Sequence, residues 1–117
     1  MDRNDQLLRN LYRHYLVMKT FHFQTKLAFR HTKADEYLQK YLANMDKLME
    51  VIQGIDGVVA TSVIDINVAT RNDEDIYEEL ANMTALLQLE RSVSSVDSII
   101  DDMQNDIHQL AYLFGFK

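Results

Sequence analysis

Five polar side chains stand out by type and spacing: His22, His31, Asp35, Asp46 and Glu50. Imidazole nitrogens and carboxylate oxygens without sulfur form a donor set that suits Fe, Mn or Zn better than Mg or Ca. With carboxylates in the majority, iron or manganese is favoured. A helix turns by about 100° per residue, so Asp35 and Asp46, eleven positions apart, project within about 20° of each other. His31 and Glu50 fall within about 60° of Asp35, and so do Leu38, Leu42 and Met49. Three carboxylates and a histidine are therefore expected on a face shared with core residues. An unpaired buried carboxylate is costly. A basic partner, a wet protein interface or a metal ion has to compensate these groups.

Spacing narrows the choice. His31 and Asp35 are one helical turn apart, as are Asp46 and Glu50, so each pair can address one ion. The two pairs lie about 16 Å apart along the axis, at about 1.5 Å per residue. One ion cannot touch both pairs of the same chain. Two copies of the helix packed antiparallel change that. With a two-fold axis near residues 40–41, His31 and Asp35 of one copy face Asp46 and Glu50 of the other. The expected minimal unit is thus a homodimer with two identical inter-subunit sites. His22 sits on the neighbouring helix, one turn from its end, where it can reach the same point.

The elements that must hold these residues read as helices. From about Asn4 to Leu27, Leu8, Leu11, Tyr15, Met18, His22 and Thr25 recur in steps of three and four, with Asn4 and Asp5 as N-cap candidates. From about His31 to Gln53 the stripe is Leu38, Leu42, Met45, Met49 and Ile52. Thr32 with Asp35 resembles a capping box, and Gly54 is a plausible C′ residue. The turn between these helices, near Lys26 to Arg30, contains neither Gly nor Pro. Residues 54–72 are rich in β-branched side chains and read as an irregular or extended crossover. A third helix begins at about Asn72. The acidic run Asp73 to Asp75 suits its positive end, and Ile76, Leu80, Met83 and Leu87 form its stripe. Ser94 and Asp97 offer a cap for a fourth. It carries Val96, Ile99, Met103, Ile107, Leu110 and Phe114 and ends at Gly115. Two helical hairpins joined by one long crossover make an all-α four-helix bundle spanning 1–117 as a single domain.

Composition agrees with that architecture. The chain has no proline and three glycines in 117 residues, which permits long uninterrupted helices. It has no cysteine, which excludes disulfides and thiolate zinc sites and suits a reducing cytoplasm. No apolar run approaches the roughly 20 residues of a membrane span. The first ten residues are too polar for a signal peptide. The net charge of −6 is unevenly spread. Residues 1–50 hold nine Lys/Arg against six Asp/Glu, and residues 51–117 hold three against twelve. Such a chain is a poor electrostatic partner for nucleic acid.

At His22-Phe23, His31, Asp35, Asp46 and Glu50 the sequence resembles the Dps-like miniferritins of the ferritin-like superfamily. In that family a His-Trp pair near the end of the first helix precedes a His and an Asp four apart. An Asp-x-x-x-Glu pair follows eleven residues after that Asp. The chain also looks like small ferritin-like proteins of tailed phages, particularly in its HFQTK segment and its short third and fourth helices. The resemblance implies a ferritin-like bundle and a ferroxidase site shared across a two-fold dimer. It implies Fe(II) as the bound metal and peroxide or oxygen as the oxidant. The motif covers about His22 to Glu50. Phe23 stands in place of the tryptophan, and the gap from His22 to His31 is three residues shorter than the family's usual one. The basic tail associated with DNA binding and the length of a typical Dps protein are absent. The Glu-x-x-His motif of intrasubunit di-iron centres is also absent. A di-metal site built from both chains stays open.

A rival reading makes the chain a metal-free helical dimer acting as a protein-interaction module. Its acidic half would bind the partner, and the same five residues would be tied up by Lys40, Lys47 or Arg30. A Dps-like DNA protector is a third reading, opposed by the charge. His14 and His108 have no partner at ligand spacing and read as surface or core residues. Tyr15, Tyr37, Tyr41 and Phe23 read as packing near the site, with a redox-active neighbour as the alternative role.

Overall fold

Apolar residues at steps of three and four become buried helix faces. The computed structural model describes residues 2–59, 73 and 75–116. They form α1 (Arg3–Gln24), α2 (Ala28–Asp56), α3 (Asp75–Leu89) and α4 (Ser94–Leu113). The expected crossover at 54–72 lies outside the described residues from 60 onward, and Glu74 is outside them too. Among the described residues, no helix is long and apolar enough to cross a membrane.

Side-chain bonds give the packing order and the sense of each helix. Asn4 reaches Asp56, the Tyr41 hydroxyl donates to the Leu11 carbonyl, and His22 meets His31, so α1 and α2 run antiparallel. Arg3 reaches Glu90, Arg13 reaches Glu79 and Thr25 reaches Asp73, so α1 and α3 run antiparallel. Asn44 with Asp106 and Arg30 with the Phe114 carbonyl give the same sense to α2 and α4. Gln104 on the Thr84 carbonyl and Tyr77 on Phe116 do so for α3 and α4. Among the described residues the backbones of α1 and α4 do not come close, nor do those of α2 and α3, although the Phe21 and Phe114 rings meet across the core at 5.6 Å. Helices α2 and α3 therefore occupy diagonal corners and point the same way. The end of α2 and the start of α3 thus lie at opposite ends of the bundle.

The core comes from all four stripes. In α3 the expected set is fully buried: Ile76, Leu80, Met83 and Leu87. In α4 Val96, Met103, Ile107, Leu110 and Phe114 are buried, with Ile100 inside and Ile99 half-buried. Side chains of this size contribute about 1.5–3 kcal/mol each when fully buried. In α1 Leu11, Met18 and His22 are buried as expected, but the face is shifted round the helix from the rest of the expected stripe. Leu7, His14 and Phe21 are buried, while Leu8, Tyr15 and Thr25 are half-buried. The rotation follows from His14, a polar residue that the core accepts because its ring nitrogens are bonded.

The helix ends depart from expectation for identifiable reasons. Asp2, not Asn4 or Asp5, caps α1: its carboxylate accepts the Asn4 N–H at 3.2 Å. Helix α2 begins at Ala28, so Thr32 and Asp35 lie inside it and form no capping box. Its N-cap, Leu27, makes no side-chain bond. The intervening turn is built by Thr25, whose hydroxyl accepts the Leu27 N–H and donates to the Asp73 carboxylate. Arg30 then ties Asp73 to the Phe114 carbonyl, joining the start of α3 to the end of α4. Gly54 is helical, and the C-cap of α2 is Gly57 at φ 93°. Gly115, at φ 84°, ends α4 in a Schellman motif. Its N–H bonds to the Tyr112 carbonyl while the Phe116 N–H bonds to that of Ala111. The Ser94 cap is replaced by Val93, and Asp97 instead accepts the Ser92 N–H at 2.9 Å.

Candidate metal-binding face

The buried stripe of α2 runs through Ala34, Leu38, Tyr41, Leu48 and Ile52. Asp35, Leu42 and Asp46 stand about 80–120° round the helix from its centre. They were expected to share the core face. Instead Asp35 is half-buried, and His31, Leu42, Asp46 and Glu50 are exposed. The helix presents its core face to α1 and α4, which leaves these residues on its outer flank. Leu42 is 44% exposed, an apolar side chain on an otherwise polar flank. It lines a surface groove with Leu8, Tyr12, Met45, Asp46 and Met49, across the α1–α2 seam.

The two histidines come together at the α1–α2 turn. Their rings stack at a centroid separation of 3.9 Å with planes 20° apart. His22 Nδ1 lies 2.8 Å from the His31 carbonyl oxygen, and His31 Nδ1 lies 2.7 Å from that of His22. A carbonyl oxygen can only accept, so each Nδ1 carries the hydrogen. In the neutral ring each Nε2 is then left as a bare lone pair. Donation of one ring N–H to a backbone carbonyl is the usual way a ligating imidazole is oriented. His22 is 8% exposed and has the Phe23 ring beside it at 5.5 Å. The tight turn after Gln24 places the two rings against each other.

The carboxylates are held loosely. Asp35 accepts from the Gln39 amide one turn on. Asp46 and Glu50 make no hydrogen bond or ion pair with another described residue. Neither Lys40 nor Lys47 pairs with them, and Arg30 is engaged by Asp73 and Phe114. Among the described residues no three His, Asp or Glu side chains of one chain converge as an ion's ligands would. The structure thus brings His22 and His31 together and leaves Asp46 and Glu50 well down the same flank.

A second polar cluster lies where α1, α2 and α3 meet. His14, read as an unpartnered surface or core residue, is fully buried and bonded at both ring nitrogens. Nδ1 lies 2.8 Å from Glu79 Oε2 and Nε2 lies 2.7 Å from the Tyr37 hydroxyl. Glu79 is 2% exposed and also takes the Arg13 guanidinium at 3.0 and 3.3 Å. Burial alone would raise the Glu79 pKa, but His14 and Arg13 outweigh it and hold the carboxyl below its ordinary range. Burial lowers the His14 pKa against the opposing pull of Glu79. Burial also raises Tyr37 and Tyr41 well above a free phenol. Protonation states follow. The Glu79 carboxylate only accepts, so the His14 proton sits on Nδ1 and Nε2 accepts the Tyr37 O–H. One signal for this cluster was present in the sequence: Glu79 falls on the apolar stripe of α3, directly before Leu80. Its partner is 65 positions away, beyond the reach of spacing within a helix. No protein-family model, curated protein or solved structure matches the chain.

Proposed function

We propose that the chain is a ferritin-like, Dps-like metal-binding protein that takes Fe(II) as substrate at sites shared across a two-fold dimer. The antiparallel neighbours, with α2 and α3 parallel on diagonal corners, suit the ferritin-like connection. The observation that carries the reading is the state of the flank. Its two imidazoles are oriented through Nδ1 and keep Nε2 unbonded by any described residue. Asp46 and Glu50 stand exposed, and among the described residues they have none of the Lys or Arg partners that a metal-free module requires.

Dimer geometry and residue placement support each other. With α2 packed antiparallel on its copy, Leu42 falls beside the two-fold axis near residues 40–41. An exposed leucine there gains by burial. His22, His31 and Asp35 of one chain then face Asp46 and Glu50 of the other. The donor set fits iron: imidazole and carboxylate without sulfur. The resemblance of the 4–11–4 spacing to the miniferritins favours Fe(II) over Mn(II) or Zn(II). Peroxide or oxygen serves as the electron acceptor. The residues bind and orient the ion, and the carboxylates offset the extra positive charge that oxidation creates.

Anaerobic Fe(II) titration by calorimetry, with sedimentation in parallel, tests this. The expected outcome is saturable binding by a dimer, abolished when Asp46→Ala and Glu50→Ala are combined, with oxidation on adding peroxide. Absence of saturable binding, or binding unchanged in the double variant, overturns it.

A further inference from the structure

Tyr37 and His14 form a pair that the iron reading does not use. The phenol O–H donates to a neutral imidazole at 2.7 Å, and the far side of that ring is anchored on an ionised carboxylate. We infer that Tyr37 is a proton-coupled redox residue, oxidised to a neutral tyrosyl radical while His14 takes its proton. A phenol that loses an electron becomes a very strong acid, so oxidation is easy only where a base waits along the hydrogen bond. Here the Tyr37 Oη–H bond breaks and the His14 Nε2–H bond forms. The electron leaves to a one-electron oxidant of the hydroxyl-radical class, which peroxide yields on meeting Fe(II), and that oxidant becomes hydroxide. The imidazolium produced lies 2.8 Å from the Glu79 carboxylate, which stabilises it in a site closed to water. When the radical is reduced, the same proton returns.

The neighbours show why this tyrosine is singled out. Tyr41 stacks on Tyr37 with centroids 5.9 Å apart, and it too is buried. Its hydroxyl donates to the Leu11 backbone carbonyl, which is no base. Oxidised Tyr41 has nowhere to leave a proton. Tyr12, Tyr77 and Tyr112 are exposed and lose theirs to water. Tyr37 is 5% exposed but walls a small surface pocket between α2 and α4, beside Lys40 and Asp106. An oxidant in that pocket is close to the ring. Glu79 and Arg13 act through His14 and are positioning residues.

The test needs no iron, so its failure leaves the iron reading standing, and loss of the iron reading leaves the pair intact. In the full chain, Tyr12, Tyr15, Tyr77 and Tyr112 are replaced by phenylalanine. The protein is then oxidised by a photogenerated ruthenium(III) polypyridyl complex and freeze-trapped for electron paramagnetic resonance. The expected result is a tyrosyl radical that forms more slowly in D2O, persists in Tyr41→Phe and is lost in Tyr37→Phe. His14→Gln is expected to retain the helical circular dichroism and suppress the radical. A radical that is lost in Tyr41→Phe, or that forms undiminished in a folded His14→Gln, overturns the inference. The Tyr41→Phe arm decides the matter even if Tyr37→Phe does not fold.

Discussion

Replacing Glu79 by alanine deletes the one carboxylate on which three donor contacts converge. It accepts His14 Nδ1–H at 2.8 Å and the Arg13 guanidinium at 3.0 and 3.3 Å, while itself only 2% exposed. The loss is not shared equally by the partners. Arg13 is 39% exposed and can turn to water. His14 is fully buried, and among the described residues its Nδ1 has no other partner; moving the proton to Nε2, toward the Tyr37 hydroxyl, still leaves Nδ1 a bare buried nitrogen. An orphaned buried donor costs about 1–3 kcal/mol, and deleting one member of a buried ion pair typically costs about 3–5 kcal/mol. Because Arg13 escapes to solvent, the lower end applies, about 3 kcal/mol. With a urea m-value of about 1–2 kcal/mol per molar, the midpoint falls by roughly 1.5–3 M. Urea unfolding at neutral pH followed by helical circular dichroism measures it. The matched control is Glu90→Ala, which removes a contact with Arg3, itself 67% exposed, and is expected to cost under about 1 kcal/mol. If Glu79→Ala costs no more than Glu90→Ala, the buried network is not holding α1 to α3 as argued.

Further expectations follow from the same structure. His14 titrates below its ordinary 6.5 because burial disfavours the imidazolium. As pH falls through 6.5 the unfolded chain therefore takes up a proton that the folded chain refuses. Stability drops on that side at up to about 1.4 kcal/mol per pH unit. Glu79, depressed below 4.5, adds a loss of the same sign further down, while Asp106, raised by burial, works in the opposite sense near the acid end. Urea titrations between about pH 5 and 7.5 should thus show a steeper slope for the wild type than for His14→Gln, and parallel slopes would contradict the assignment. Gly54 is helical with nothing within 4 Å of an added Cβ, so Gly54→Ala should stabilise by about 0.5–1 kcal/mol. Gly115→Ala forces a side chain into φ 84° and should cost about 1 kcal/mol; thermal melts with equal midpoints for the two variants would sink both assignments. The combined Asp46→Ala and Glu50→Ala change, made on an exposed flank, should leave stability within about 0.5 kcal/mol, and a larger loss in the metal-free protein would reveal a structural role.

What the sequence makes legible here is what one helix can express alone. The stripe Ile76, Leu80, Met83, Leu87 is buried as its spacing demands, and so is most of the α4 stripe, because an apolar face at steps of three and four has one way to leave water. Helix ends are less legible, since a cap is a bond between particular atoms. Asp2 outcompetes Asn4, and a threonine hydroxyl turns the chain at Thr25–Leu27 without glycine or proline. Leu42 shows a further limit. Its place beside Leu38 and Met49 in the pattern does not say whether the burying partner is the same chain or another, and in one chain it stays 44% exposed. The same ambiguity moved Asp46 and Glu50 from the core, where spacing suggested them, to the outer flank. His14 is the opposite case. As a polar residue it does not extend an apolar stripe, so the pattern points to Leu8 and Tyr15 beside Leu11 and Met18, where the core takes Leu7 and His14. Its burial depends on Glu79 of α3 and Tyr37 of α2, arriving from two other helices to satisfy two nitrogens. A polar residue on an apolar heptad, Leu7–His14–Phe21, is therefore better treated as a request for partners than as a break in the pattern. The carboxylate on the α3 stripe makes the matching request, and the antiparallel packing of α1 on α3 brings the two together.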